Sequence, residues 1–96
     1  MSDLSLDTQL RVADDVVFRN LDGEAVLLSI GSGLFFGLTP VATRIWELID
    51  AGRALGQILE TLVREYDAPA PVLERDLRDL AAQLLARRLA VRAPAA

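Results

Sequence analysis

The chain has 96 residues, 52% of them hydrophobic and 25% charged, a composition that suits one globular domain with one core and excludes a disordered segment. Its formal net charge is −4, which counts against nucleic-acid binding because phosphate contacts supply most of that affinity. Cysteine and histidine are both missing, which excludes disulfides, thiolate metal sites and cysteine nucleophiles and removes the commonest general base.

In chain order, residues 1–13 have no clear hydrophobic period and are expected to form a flexible N-terminal arm. Asp3 and Asp7 stand where a signal peptide would carry base, so no export signal is read there. No apolar run reaches bilayer length, and a cytoplasmic chain with no membrane contact is the expectation. The domain itself is expected over residues 14–92, with 93–96 as a tail.

Val16–Asn20 reads as a first strand, and Asp22-Gly23 after it is a strong signal for a type I′ hairpin. The second strand runs from about Glu24 to Ile30. Gly31-Ser32-Gly33 offers the positive-φ positions of a second tight turn, and Leu34–Leu38 follows as a third strand. Val26, Leu28, Ile30, Phe36 and Leu38 are assigned to the core, leaving Leu27 and Phe35 less covered.

Thr39-Pro40 is a helix start, a hydroxyl N-cap followed by proline at the first helical position. The first helix spans about Pro40–Ala51, with Val41, Ile45, Leu48 and Ile49 on its core stripe and Trp46 beside it, partly buried. Gly52 closes it. The second helix, about Leu55–Tyr66, buries Leu55, Ile58, Leu59, Leu62 and Tyr66. It lacks a side-chain cap, and its start is expected to be the softest point among the helices. Pro69 and Pro71 interrupt the chain before a third helix, about Pro71–Leu89, whose stripe is Leu73, Leu77, Leu80, Ala81 and Leu84. Arg87-Arg88 at its end match the negative pole of the helix dipole.

The fold class is therefore α+β and winged helix-turn-helix-like, a three-stranded antiparallel sheet followed by three helices. No catalytic constellation accompanies it. Asp76 and Asp79 share a helix face, but Arg75 and Arg78 lie beside them and make a salt-bridged surface the better reading. The serines have no histidine to activate them, and Gly31-Ser32-Gly33 lacks the lysine and following helix of a phosphate loop. No enzyme activity, metal or cofactor is expected. A winged-helix DNA-binding regulator is one alternative, weakened because Glu74, Asp76 and Asp79 interleave with the only basic cluster. A structural dimerisation module pairing its own sheet edge is another.

The reading the residues favour is peptide binding. The third strand presents unpaired backbone groups on which a guest chain can add as a further strand. The third helix, from Arg75 to Gln83, would form the other wall of the groove, with Arg75 and Arg78 suited to an acidic peptide.

Three runs then carry a resemblance: Ala25-Val26-Leu27-Leu28, Gly33-Leu34-Phe35-Phe36-Gly37-Leu38 and Ala42-Thr43-Arg44-Ile45-Trp46-Glu47-Leu48-Ile49. With Ile58, Leu62, Tyr66-Asp67, Asp76-Leu77, Leu84 and Leu89-Ala90-Val91, their order and spacing resemble the PqqD-like family over residues 14–92. That family consists of RiPP recognition elements, peptide chaperones that bind the leader segment of a ribosomally made precursor and present it to a modifying enzyme. The resemblance implies a non-catalytic adaptor. The leader would pair with backbone groups of Leu34, Phe35, Phe36 and Gly37, and Arg75, Arg78, Asp76, Asp79 and Gln83 would line the groove. The implied partners are a precursor peptide and a radical-SAM, cyclase or peptidase protein, in bacterial RiPP or quinone-cofactor biosynthesis, with a homodimer open. Ser29-Ile30-Gly31 stands where the quinone-cofactor branch has a Pro-Glu element, and the Gly-aromatic-aromatic run is closer to relatives that work with lasso peptides.

Overall fold

The computed structural model describes residues 4–94. Its elements in order are β1 (Leu10–Val12), β2 (Val16–Leu21), β3 (Glu24–Ser29), β4 (Leu34–Gly37), α1 (Pro40–Asp50), α2 (Leu55–Glu65), α3 (Ala70–Ala86) and β5 (Ala90–Arg92). β2, β3 and β4 form the expected antiparallel sheet in that spatial order. Asp22 (φ 55) and Gly23 (φ 90) both take left-handed backbone, the requirement of a type I′ turn, and Gly33 (φ 73) turns the chain into β4.

The N-terminal segment is not a loose arm where it is described. β1 pairs antiparallel with β5, Leu10 opposite Arg92 and Val12 opposite Ala90, so the two ends of the domain close a second small sheet. Leu4 and Leu10 are buried in the common core. The segment also caps α2: the Leu55 and Gly56 N–H groups donate to the carbonyls of Thr8 (2.9 Å) and Leu6 (2.8 Å), while the helix's own Gln57 Oε1 accepts from the Ala54 N–H (2.9 Å). Helix N–H groups without a side-chain cap need some acceptor. Here distant backbone supplies it, so the start expected to be soft is held. Ala93 of the expected tail donates to the Gln9 carbonyl (2.8 Å). Residues 1–3 of the expected arm and 95–96 of the tail lie outside the described residues.

Thr39 caps α1 as expected, its Oγ1 accepting from the Ala42 N–H (3.2 Å), with Pro40 at the first position. Gly52 ends α1 in left-handed backbone (φ 85). α3 stops at Ala86, three residues earlier than expected, because Arg88 turns left-handed and sends the chain into β5.

The sheet faces the helices with the opposite side of β3 from the one assigned. Ala25 and Leu27 are buried, whereas Val26 and Leu28 are half-buried on the outer face and Ile30 is exposed. The anchor is Thr43 on α1, itself buried, whose Oγ1 accepts from the Ala25 N–H (2.8 Å). That bond draws α1 against small Ala25 and directs Leu27 inward. Phe36 and Leu38 pack against the core as expected. Trp46 is fully buried, with Phe18 edge-on at 5.4 Å and 83°, and no described acceptor reaches its Nε1. Ile45, Leu48, Ile49, Leu55, Ile58, Leu62, Leu73, Leu77, Ala81 and Leu84 fill the helical layer as their spacing predicts.

Candidate functional site

β4 has one strand neighbour, β3, and its other side is a sheet edge. The Leu38 N–H donates to the Ala25 carbonyl (2.8 Å), which fixes 25 and 38 as a hydrogen-bonded pair. Antiparallel ladders alternate, so Leu27 with Phe36 is the next such pair, while Val26 with Gly37 and Leu28 with Phe35 are the wide ones. The N–H and C=O groups of Phe35 and Gly37 therefore point away from β3, toward the open edge. Of the four residues read as pairing with a guest strand, Phe35 and Gly37 present their backbone to it. Phe36 spends its backbone on β3, and Leu34 lies opposite Ser29 at the turn.

The side chains of β4 divide between the two faces. Phe35 is 70% exposed on the outer face, next to Val17, Leu21, Val26 and Leu28, and together they border a shallow apolar hollow of about 450 Å³ with Arg19. Leu34 and Phe36 lie on the inner face. There the Arg87 guanidinium stands 5.4 Å from the Phe36 ring centroid, a cation–π contact. It joins the end of α3 to β4 and defines a second hollow of about 520 Å³, bordered by Leu34, Phe36, Arg87, Arg88, Val91, Asp15 and Ser32.

This contact places the end of α3 against β4. Asp76, Leu80, Gln83 and Arg87 are spaced i, i+4, i+7, i+11 and form one stripe along the helix. Asp76 and Gln83, both read from the sequence as groove residues, are on it. Arg78 lies on the opposite flank, its Nε donating to Glu74 Oε2 (3.0 Å) and its Nη1 to the Leu4 carbonyl. Arg75 and Asp79 border a separate surface hollow with Arg78 and Glu74 on the helix back. Arg75 also makes a long ion pair with its neighbour Asp76 (3.9 Å). Arg78 is thus turned to Glu74 and Leu4, Arg75 and Asp79 border the hollow beside it, and Asp76 and Gln83 share a stripe with Arg87, the residue at the end of α3 that touches β4. Leu80 and Arg87 join the stripe instead. Helical spacing from Asp76 would have found both, had the orientation of α3 been known.

Among the described residues, the ion pair held by two hydrogen bonds lies elsewhere. Arg44 on α1 holds Glu65 on α2 through two hydrogen bonds of 2.8 Å, and this lowers the Glu65 carboxyl and raises the Arg44 guanidinium. It braces two helices and is remote from β4. Among the described residues no group of three or more acidic side chains is placed to hold a metal ion, and no helix is long and apolar enough to cross a membrane.

The comparisons with known proteins fit this geometry. A solved structure described as TbiB1 in complex with the TbiA(beta) leader peptide matches with a TM-score of 0.79 and 36% identity, over 90% of this chain and 98% of that one. A second, a lasso peptide synthetase B1 complexed with the leader peptide, has the same fold at a TM-score of 0.79 and 24% identity, over 86% of this chain and 98% of that one. Among curated proteins no sequence matches. The family model described as coenzyme PQQ synthesis protein D matches residues 24–90, from the start of β3 to the start of β5. The chain belongs to the PqqD family.

Proposed function

We propose that this chain is a leader-peptide-binding adaptor. It takes a segment of a ribosomally made precursor as an added strand on β4 and holds it for a peptide-modifying enzyme of the radical-SAM, cyclase or peptidase kind. The observation that carries this reading is the open β4 edge beside the end of α3, where Arg87 stands over Phe36, in a fold shared with two proteins solved with leader peptides. Strand addition supplies affinity through backbone hydrogen bonds, and the flanking side chains supply selectivity. The guest pairs with Phe35 and Gly37 and packs along Asp76, Leu80, Gln83 and Arg87. The adaptor performs no chemistry of its own; its contribution is to raise the local concentration of the precursor at the enzyme. A short peptide that must order itself on binding is expected to have a Kd of about 0.1–10 μM.

The test is an NMR titration of the labelled chain with the TbiA(beta) leader peptide. Amide shifts confined to β4 and the Asp76–Arg87 stripe support the reading. Shifts centred on the Arg75–Arg78 hollow would move the site to the back of α3. Absence of shifts at several hundred micromolar, followed by steeply salt-dependent binding of duplex DNA, would replace it with the winged-helix alternative.

A further inference from the structure

The end of α3 holds a residue in a place its backbone does not favour. Arg88 has φ 58, its N–H donates to the Leu85 carbonyl (3.1 Å), and the Leu89 N–H donates to the Leu84 carbonyl (2.9 Å). These two bonds define a Schellman ending with Arg88 at the left-handed position, where glycine is preferred because an L side chain crowds the backbone. The same chain ends α1 with the same pair of bonds, Gly52 to Ile49 and Arg53 to Leu48, and there it uses glycine. A strained backbone retained at one helix end and relieved at another points to a use for the side chain.

The surroundings say what that use is. Arg87 and Arg88 border the hollow of about 520 Å³ beside β4, over a floor that includes Leu34, Phe36 and Val91. Arg87 is held over the Phe36 ring, and among the described residues neither arginine makes an ion pair, although acids outnumber bases in this chain. Asp15 borders the hollow and bridges to neither. Attraction to the helix dipole explains a cation near the end of α3 but gives no reason to place one at the left-handed position. A guest strand on β4 lies about 4.8 Å away and turns every second side chain to the inner face, the face of Leu34 and Phe36. The hollow bordered by both arginines lies on that face, beside Leu34 and Phe36.

We propose that Arg87 and Arg88 form a carboxylate-reading subsite, and that the precursor segment bound at β4 carries an aspartate or glutamate opposite Leu34 or Phe36. The inference rests on the strand-addition reading above and assigns that site its selectivity. Planar guanidinium groups match a carboxylate with charge-assisted hydrogen bonds. The adjoining apolar floor adds a preference for a large apolar residue two positions away.

The test is a selection of random twelve-residue peptides by mRNA display on the full chain, run beside an Arg87→Gln/Arg88→Gly double variant. The wild type is expected to enrich an acid at fixed spacing from an apolar residue. Replacing that acid by its amide in an enriched peptide should weaken binding roughly tenfold. The double variant should keep the apolar alternation and lose the acid. Its folding is checked by the fluorescence of Trp46, and glycine at position 88 suits the backbone already present. Enriched peptides that need the β4 edge, being lost in Gly37→Pro, yet tolerate the amide within twofold would overturn the subsite and leave strand addition standing. Enriched peptides that bind Gly37→Pro as well as wild type, or no enrichment at all, would overturn strand addition and the subsite with it.

Discussion

Gly37→Pro separates the β4 edge from the rest of the fold. Gly37 is in the wide pair with Val26, so its N–H points to the open edge and bonds nothing in β3. A Cβ built there meets no atom within 4 Å, and an edge-strand position whose N–H faces outward is where a sheet tolerates proline. The substitution removes one donor and puts the ring where a guest carbonyl would approach. A guest carbonyl left without its partner costs about 1–3 kcal/mol, which is roughly five- to 150-fold in Kd. Folding stability should hold or rise slightly, because a compatible proline restricts the unfolded chain. Gly37→Ala keeps the N–H and should bind within about twofold of wild type. Fluorescence anisotropy with a labelled TbiA(beta) leader peptide measures both, and the single Trp46 reports folding. A folded Gly37→Pro chain with wild-type affinity would refute strand addition at β4.

Leu27→Ala should cost about 2–5 kcal/mol in denaturant unfolding and Leu28→Ala under about 1 kcal/mol, because Leu27 is fully buried and Leu28 faces outward; equal losses would contradict the face assignment. Gly56→Ala should gain about 1 kcal/mol of helix propensity and forfeit it, since the new Cβ would stand 3.1 Å from the Leu6 carbonyl. Amide exchange at positions 55 and 56 should quicken, and unchanged protection with a net gain in stability would refute the capping role of residues 6–8. Arg88→Gly should raise stability by about 1 kcal/mol, or roughly 4–8 °C in Tm, and a lower Tm would show that the left-handed position is not strained. Arg44 holds the Glu65 carboxyl below its ordinary value of 4.5, so the pair stabilises the fold above that pH and its contribution is lost as pH falls through the lowered value. Glu65→Gln should make the acid limb of a pH–stability curve shallower, and an unchanged limb would show that the pair does not contribute.

Local chemistry made much of the fold legible. Asp22-Gly23, Thr39-Pro40 and Gly52 each perform the turn or cap their residue types require, and the helix stripes follow from spacing. What escaped was decided over long range. β1 and β5 are three residues each and some 80 residues apart in sequence, too short to show a period. Ala25-Val26-Leu27-Leu28 is apolar on both faces, so alternation could not choose between them; the bond from Ala25 to Thr43 on another element does. The candidate site was legible to the same extent. The aromatic edge strand stood out, and α3 was its evident second wall. Spacing says which α3 residues share a stripe but not what each stripe meets, so the bonds that turn Arg78 to Glu74 and to Leu4, 74 residues away, are not legible in it.

The sheet has two edges, and their sequences differ in the way the function requires. β2 carries Arg19 and Asn20 near its end, and Asn20 is tied to Glu47 of α1 (3.2 Å), so a second chain would meet charge and an occupied side chain there. Charge on an edge strand is a common guard against unwanted pairing. β4, Leu34-Phe35-Phe36-Gly37, has no charge and no proline within the strand, and Phe35 is 70% exposed. An apolar edge of this kind invites association, and its four-residue length limits the hazard to short guests. With every second guest side chain directed under Arg87, an unselective edge becomes a selective one. Backbone pairing alone would accept any extended peptide, whereas the groove accepts those whose inward residues fit Phe36 and the guanidinium above it. The unguarded edge and the arginines beside it thus act together, one supplying general affinity and the other discrimination among peptides that all offer the same backbone.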